Sequence, residues 1–279
     1  MSKPLQSAWW RVPKRACTVA LPPVLAFLAL LAIWQTVSTV GLVPADLLPA
    51  PTRILRSGSE QGPTLLKHTI PTVTATLIGF SLSVTVAFLT AAVLDFSALL
   101  RRAILPLLIV SQTLPLIALA PLVVVWFGFG LLPKILLVAF VTFFPMVVGF
   151  MRGFEAADAD AQNLLRSMGA SQLLVFRMIR LPASVPSFFS SLRISITYAV
   201  VGAIFAEYAG AVAGLGVYMQ SAKNVFRTDL VLAAVLVSTV VTLALYVSVT
   251  LIERVSAPWI RVQQGGKGRY EHVGNRRGR

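Results

Sequence analysis

The polar residues that interrupt the long apolar stretches of this chain are the first candidates for chemistry. Arg193, Tyr198 and Glu207 stand in one such stretch, and Gln112 and Thr113 stand in another. A charged side chain at the centre of a membrane helix costs about 2.5–3.5 kcal/mol, so such residues are candidates for transport or gating. We predict that Gln112, Thr113, Tyr198 and Glu207 belong to a substrate path. Interhelical hydrogen bonding is the alternative for the first three, and a structural or gating role for Glu207.

No constellation for covalent catalysis accompanies these residues. The sequence contains no H-E-x-x-H motif, no G-x-S-x-G motif within a span and no GxxxxGK[ST] phosphate loop. His68 and His272 are too far apart in sequence to suggest a metal pair, and the single Cys17 excludes a disulfide within the chain. We therefore predict no catalytic residue, no metal and no cofactor.

Composition indicates what must position the polar residues. The chain is 57% hydrophobic and 12% charged, with a mean hydropathy of +0.82, whereas soluble domains carry about 25% charged residues. A membrane protein of several spans is predicted. The net charge of +14 would suggest nucleic acid as the partner of a soluble protein. Because no basic patch is interleaved with aromatic residues, we predict no nucleic-acid binding and assign the charge to cytoplasmic segments.

Six stretches are long and apolar enough to cross a bilayer as helices, which predicts an all-α membrane fold. They cover residues 20–40, 70–94, 103–127, 134–150, 191–211 and 230–252. The third stretch contains Pro106, Pro115 and Pro121, so it is expected to be kinked. The first exceeds the apolar core of a signal peptide and is interpreted as a retained anchor.

The distribution of positive charge sets the predicted orientation. Most of the 24 lysines and arginines fall in segments that are cytoplasmic if both termini are inside, as the positive-inside rule requires. We predict a cytoplasmic segment 1–19, a transmembrane domain 20–262 and a disordered basic cytoplasmic tail 263–279. The protein is expected in the cytoplasmic membrane, with the lipid bilayer around it.

The longest predicted cytoplasmic loop, residues 151–190, contains two short helix patterns separated by Gly169. In the first, apolar residues follow the i, i+3, i+4, i+7 spacing of one helix face: Ala161, Leu164, Leu165 and Met168. Asp158 is predicted to cap this helix and Gly169 to end it. Ser171 is predicted to cap the second, and Pro182 to end it. On periodicity alone, a hairpin at the membrane interface that merely connects two spans is equally acceptable.

The order of short motifs along the chain resembles that of ABC-importer permeases. One segment is similar to the second half of the EAA motif of that family: Gly169, nine intervening residues and then Ile179-x-Leu181-Pro182. Further similar segments are Leu48-Pro49-Ala50-Pro51, Leu77-Ile78-Gly79-Phe80, Leu114-Pro115 to Pro121-Leu122, Trp126-Phe127-Gly128-Phe129-Gly130, Phe143-Phe144-Pro145, Ala206-Glu207-x-x-Gly210 with Gly214-Leu215-Gly216, and Phe226-Arg227-Thr228-Asp229-Leu230. Together they resemble the nitrate, sulfonate and taurine permeases, a group that includes transporters of thiamine pyrimidine precursors.

The literal string Glu155-Ala156-Ala157 is not the matching part of that motif. The family places its glutamate six residues before the glycine, and here that position is Asn163. Glu155 is interpreted as a charge at the end of a span. The resemblance therefore implies apolar packing rather than a glutamate-mediated ion pair as the contact with an ATPase.

The resemblance implies the architecture of a type I (MetI-like) importer permease with six transmembrane helices. Such a permease binds no ATP, pairs with a second permease subunit, here expected to be an identical copy, and works with ABC ATPase subunits and an extracytoplasmic solute-binding protein. Alternating access would carry the solute across the membrane. The residues that this resemblance assigns to ATPase coupling are Asn163, Leu164, Leu165, Arg166, Met168, Gly169, Ile179, Leu181 and Pro182.

Two other functional classes remain open on sequence grounds. A secondary transporter or channel would work without an ATPase, and a membrane-embedded enzyme would need the catalytic groups that the spans lack. The solute also stays open among nitrate, an alkanesulfonate, taurine and a pyrimidine precursor of thiamine.

Overall fold

A computed structural model describes residues 14–257, with side chains from Leu21 onward, and every regular element in that part of the chain is helical. The helices are α1 Lys14–Thr39, α2 Pro51–Glu60, α3 Gly62–Phe96, α4 Ala98–Gln112, α5 Leu116–Phe127, α6 Leu131–Glu155, α7 Ala159–Ser167, α8 Gln172–Val175, α9 Leu181–Gly210, α10 Leu215–Asn224 and α11 Thr228–Ser256, with a π-helical turn Phe176–Arg180 between α8 and α9. The predicted tail 263–279 and residues 1–13 of the predicted N-terminal segment lie outside the described residues. The all-α prediction is confirmed.

Within the described residues, five stretches are long and apolar enough to span a membrane: Leu21–Thr39 of α1, α3, α6, the continuous run from α8 to α9, and α11. The predicted third span is broken more sharply than the expected kink, because α4 and α5 meet at an angle of 99°. Pro115 has no backbone N–H and disfavours a helical conformation at Leu114, so the helix stops at Gln112 and restarts after Pro115. A sixth span exists only if this bent pair is counted as one.

The described chain divides into two compact units. The first comprises residues up to Gln61 together with Ala222–Ala233. Within it, Ser38 donates a hydrogen bond to the carbonyl of Leu48, and Ser57 of α2 donates to the Asp229 carboxylate at 2.7 Å. Sequence analysis did not identify α2 as a helix, although Pro51 stands at its first turn, where a missing N–H costs nothing.

The second unit comprises Gly62–Ser221 and the residues from Ala234 onward, and α3, α6 and α9 form its core. Phenylalanines fill the core: Phe150 and Phe154 of α6 are almost fully buried, and Phe88 of α3 and Phe188 of α9 contact Phe150. Small residues set the helix spacing. A Cβ added at Gly79 of α3 would lie 2.7 Å from Cβ of Val138, closer than real side chains approach.

The prediction that Pro182 ends a short helix is wrong. The helix that begins after Ser171 continues through the π turn into α9, and Pro186 lies inside α9. At the turn, the N–H of Leu181 bonds to the carbonyl of Phe176, five residues back. This wider turn places Pro182 in the first turn of α9, where a proline is tolerated.

Candidate functional site

The segment between α6 and α9 forms a short helix, a glycine turn and the entry to a long helix. The Asp158 carboxylate accepts hydrogen bonds from the N–H groups of Asp160 and Ala161, so it caps α7 as predicted. Gly169 has a φ of +85° and stands directly after the C-cap Met168. The N–H groups of Gly169 and Ala170 bond back to Arg166 and Leu165, which closes the helix as a Schellman motif.

Most of the residues predicted to contact an ATPase lie on the surface of this segment. Leu164 is 62% exposed and Met168 is 74% exposed, and both lie outside the stretches that could span a membrane, where lipid would not cover them. The exposed members are Asn163, Leu164, Arg166, Met168, Gly169 and Pro182, and the half-buried members are Leu165, Ile179 and Leu181. Leu181 packs against the core of its own chain. The exposed apolar surface is therefore centred on α7 and the glycine turn.

Arg180, the variable position in the Ile-x-Leu-Pro motif, makes the main polar contacts of this segment. Its guanidinium donates to the Asp95 carboxylate near the end of α3 at 2.6 Å, and to Gln162 of α7 at 2.8 Å. The side chains of Arg180 and Asp95 are only 23% and 11% exposed. Sequence analysis did not select Arg180, Asp95 or Gln162.

Two of the predicted path residues line a cavity of about 350 Å³ beside α4, α5, α6 and α9. Gln112 and Tyr198 are among its lining residues, which are Ser111, Gln112, Leu114, Leu116, Phe140, Val141, Phe144, Pro145, Ile194 and Tyr198. Thr113 is not among them, and its hydroxyl donates to the carbonyl of Val110 instead. Of these three predicted path residues, Gln112 and Tyr198 therefore line a cavity and Thr113 does not.

A second cavity of about 330 Å³ adjoins the first, and both are lined by Gln112, Phe144, Pro145 and Ile194. Its other lining residues are Val148, Gly149, Arg152, Ser187, Ser190 and Ser191. Arg152 is the charged residue of this lining. The two cavities together follow α6 and α9 from Tyr198 to Arg152.

Glu207 lines neither of these cavities, so its assignment to the substrate path stays a prediction, and its contacts fit the structural role considered as the alternative. Its side chain has no exposed surface and accepts hydrogen bonds from Thr72, from the N–H of Gly216 and from Lys134, at 2.9, 2.9 and 3.3 Å. Glu207 lies near the end of the predicted span 191–211, where a charge could reach water. Instead the fold surrounds the carboxylate with donors, as a buried charge requires.

Lys134, the first residue of the predicted span 134–150, belongs to the same cluster as Glu207. Lys134 lies in the first turns of α6, and its side chain is only 7% exposed. Its ammonium group donates to Glu207 and, at 2.6 Å, to the carbonyl of Ala213. Lys134 therefore ties the end of α9 to the loop that precedes α10.

Backbone groups of that loop complete the cluster. The N–H of Leu215 donates to the Thr72 hydroxyl at 2.9 Å, and the N–H of Gly214 donates to Nδ1 of His68 at 3.2 Å. Gly214 has a φ of +143°, and an added Cβ there would collide with the Glu207 carboxylate. Among the residues that the structure describes, no group of three metal-ligating side chains occurs here or elsewhere.

Two further charged residues discussed from sequence, Arg193 and Glu155, form ion pairs. Arg193 pairs with Glu253 of α11, and Glu155 pairs with Arg101 of α4. Glu155 is the last residue of α6, as its interpretation as a helix-end charge requires. Its side chain is nearly half exposed, and it lies on a different helix from the exposed surface of α7.

Comparison with known families agrees with this architecture. Residues 79–262 match the family described as binding-protein-dependent transport system inner membrane component. The chain belongs to this family. It is therefore a permease subunit of an ABC importer. The matched residues contain the glycine turn, Arg180 and both cavities.

Named relatives place the permease in the group that its motifs resemble. It is 33% identical to a probable ABC transporter permease of Haemophilus influenzae, over 82% of this chain and 94% of the relative. It is 31% identical to the formylaminopyrimidine transport permease ThiX of Halalkalibacterium halodurans, over 88% and 98%. It is 28% identical to the taurine permease TauC of Escherichia coli, over 90% and 93%.

Solved structures share the fold of the permease at low sequence identity. A MetNI methionine ABC transporter chain matches with a TM-score of 0.56 and 16% identity, over 68% of this chain and 93% of that one. A chain of an amino acid ABC transporter crystallised with histidines matches with a TM-score of 0.58 and 18% identity, over 71% and 96%. The predicted MetI-like architecture is confirmed.

The permease thus contains two polar clusters whose pairings were not predicted from the sequence, although Glu207 itself was selected. Lys134 and Thr72 could have been suspected, since each is a polar residue within or beside an apolar stretch. Arg180 and Asp95 carried no such signal, because loop charges are normally solvated. Their pairing depends on which helix ends meet in the fold.

Proposed function

We propose that this permease provides the membrane pathway of an importer and is driven by a separate ABC ATPase that docks on the segment 151–190. The observation that carries the proposal is the exposed apolar surface of Leu164 and Met168, presented by a helix capped at both ends. Water contact with such large apolar groups is unfavourable, and covering them stabilises a complex by about 25 cal/mol per Å² of buried area.

The proposed assembly contains further subunits by analogy with the family. A second permease subunit, expected to be an identical copy, would complete the pathway, and an extracytoplasmic binding protein would deliver the solute. Both termini and the segment 151–190 would face the cytoplasm, and ATP would be bound and hydrolysed only by the ATPase. The excess of lysine and arginine in these segments supports this orientation.

Reconstitution tests the coupling. The permease and its cognate ATPase are placed in proteoliposomes with the binding protein outside, and solute uptake is measured with ATP, without ATP and without the ATPase. Uptake is expected only with both ATP and the ATPase. Uptake that is independent of ATP would overturn the proposal in favour of a secondary transporter or channel.

Two variants locate the docking surface. Leu164→Asp is expected to weaken ATPase co-purification at least tenfold, because it places a charge in the proposed apolar contact. Gly169→Arg is expected to do the same by placing a long charged side chain on the proposed contact surface. The matched control is Leu132→Asp, which makes the same substitution at a leucine that is also about half exposed. Leu132 lies at the start of α6, away from the glycine turn in the sequence. Equal loss of ATPase in all three variants would contradict docking at the glycine turn.

For the solute, we favour a flat, uncharged heterocycle of the pyrimidine type over nitrate, taurine or an alkanesulfonate. The ten described residues that line the larger cavity include no charged side chain, whereas they include Phe140, Phe144 and Tyr198. Aromatic side chains stack on flat rings, and the Gln112 amide offers both a donor and an acceptor. Two relatives are named for heterocyclic substrates of this kind. One is the formylaminopyrimidine permease ThiX, and the other is the riboflavin permease RibX of Chloroflexus aurantiacus, which is 31% identical over 82% of this chain and 87% of that relative.

Competition separates the solute classes. Uptake of a radiolabelled aminopyrimidine is measured with unlabelled pyrimidine, taurine or nitrate in excess, and only the pyrimidine is expected to compete. Gln112→Leu is expected to lower transport about tenfold, whereas Thr113→Val, one residue away but outside the cavity lining, should leave it unchanged. Competition by taurine together with loss of uptake in Arg152→Gln would instead indicate an anion path through the second cavity.

A further inference from the structure

The contacts of Arg180 connect the proposed docking surface on α7 to the long apolar helix α3. Its Nη1 lies 2.6 Å from an oxygen of Asp95 near the end of α3, and its Nε lies 2.8 Å from the Gln162 oxygen on α7. The amide nitrogen of Gln162 donates in turn to the carbonyl of Ala157, before the start of α7. Arg180 thereby joins the start of α9, the body of α7 and the end of α3.

Aromatic contacts reinforce the same connection. Phe176, which begins the π turn, is buried between Phe96 at the end of α3 and Phe154 at the end of α6, with ring centroids 5.1 and 5.0 Å away. Phe96 directly follows Asp95. The end of α3 is therefore joined to the π turn by a ring contact and by an ion pair on adjacent residues.

The burial of the ion pair makes it a firm link. Arg180 and Asp95 expose only 23% and 11% of their side chains, in contrast to the pair of Arg101 and Glu155, which is 39% and 46% exposed. Exposed pairs contribute little because water and salt screen them, whereas separating a largely buried pair leaves a charge without its partner. A displacement of α7 is therefore resisted at α3 through Gln162 and Arg180.

We propose that Arg180 is the positioning residue that transmits movement of the docking surface to α3, through Asp95 and Gln162. The inference rests on the proposed function, because the movement comes from an ATPase bound at α7. Arg180 itself does not touch the solute or ATP in this proposal. It sets how far α3 follows when the ATPase closes, and the π turn lets α9 begin without a clash at Pro182.

The test measures the response of the cavity to ATP without requiring a known solute. Cys17 is the only cysteine of the chain, so Cys17→Ser with Ser111→Cys places a single thiol in the lining of the larger cavity. The labelling rate of this thiol by a polar maleimide is compared in the nucleotide-free complex and in the complex trapped with ATP and vanadate. ATPase binding and ATP hydrolysis are measured in the same samples.

In the parent protein, trapping is expected to change the labelling rate several-fold. Asp95→Asn and Arg180→Gln are expected to retain ATPase binding and ATP hydrolysis. The change in labelling rate on trapping should be smaller by a factor of about three to ten, a range typical of substitutions along a coupling network. The swapped pair Asp95→Arg with Arg180→Asp should recover part of the response. Gln162→Leu leaves the buried pair intact, so it should fold and lose a smaller part.

The matched control is Glu253→Gln, which disrupts an ion pair of similar burial between Arg193 of α9 and Glu253 of α11. Its labelling response should equal that of the parent. A full response in both Asp95→Asn and Arg180→Gln overturns the inference, as does loss of ATPase binding in these variants, because the cluster would then shape the docking surface only. A parent protein that binds no ATPase or shows no response to ATP would contradict the proposed function itself.

Discussion

The two ends of α9 are held by polar clusters of different construction. At its start, the contacts of Arg180 described above are with the side chains of Asp95 and Gln162, and the ion pair keeps some access to solvent. At its end, Glu207 and Lys134 are almost completely buried and bind the backbone of Gly216 and Ala213 as well as each other. Both clusters also include α3, through Asp95 at one end and Thr72 at the other.

The difference indicates what each end can do. Contacts between flexible side chains can lengthen and reform as helices shift, at a modest cost in free energy. A carboxylate bound by a buried ammonium group and by main-chain N–H groups cannot shift without leaving a charge unsatisfied. The Glu207 end is therefore a fixed joint of α3, α6, α9 and the 211–214 loop, whereas the Arg180 end lies beside the exposed surface of α7 and can transmit movement.

The largest expected effect comes from removing the carboxylate of the fixed joint. Glu207→Ala leaves the Lys134 ammonium buried without its partner, which costs about 3–5 kcal/mol in a protein interior. Expression and the midpoint of thermal unfolding in detergent should both fall sharply. The double variant Glu207→Leu with Lys134→Met should be more stable than Glu207→Ala, since no unpaired charge remains. An unchanged midpoint in Glu207→Ala would refute the fixed joint.

The same substitution at two glycines compares the ends directly. Gly214→Ala forces a residue with a side chain into a φ of +143° and drives its Cβ into the Glu207 carboxylate. Overpacking alone costs about 1–3 kcal/mol, and the backbone strain adds to it. The unfolding midpoint should fall clearly, and Gly214→Asn should not rescue it, because any Cβ meets the same carboxylate.

Gly169→Ala should be milder, because an added Cβ meets no atom within 4 Å there. Only the left-handed backbone conformation opposes it, at about 1–2 kcal/mol. Gly169→Asn should cost less than Gly169→Ala, since asparagine tolerates this conformation better than alanine. Thermal unfolding of the three proteins checks the order, and a loss in Gly169→Ala as large as in Gly214→Ala would remove the proposed contrast between the two ends.

The smallest effect is expected at the literal Glu-Ala-Ala string. Glu155→Gln breaks an exposed ion pair with Arg101, which is worth about 0–1 kcal/mol. ATPase co-purification and uptake should stay at the level of the parent protein, and the small loss of stability should shrink in high salt. A tenfold loss of ATPase binding in this variant would show that the carboxylate contacts the ATPase after all.

Local sequence was sufficient where local rules govern the structure. Asp158, Gly169 and Ser171 could be assigned as helix signals because capping and positive φ depend on near neighbours in the chain. Rules of this kind failed at Pro182. Its effect on the helix depends on the π turn before it, and that turn is supported by Phe176 packing against α3 and α6.

The sequence alone determined that this is an all-α membrane protein and indicated the permease family, because long apolar stretches and ordered motifs need no knowledge of packing. It also located the exposed helix and glycine turn of the 151–190 segment. Only the tertiary structure decided which charges are buried and with what partners. Lys134 and Glu207 are 73 residues apart, and Asp95 and Arg180 are 85 apart. Their pairing follows from how α3, α6 and α9 align, and no local pattern in the chain encodes that alignment.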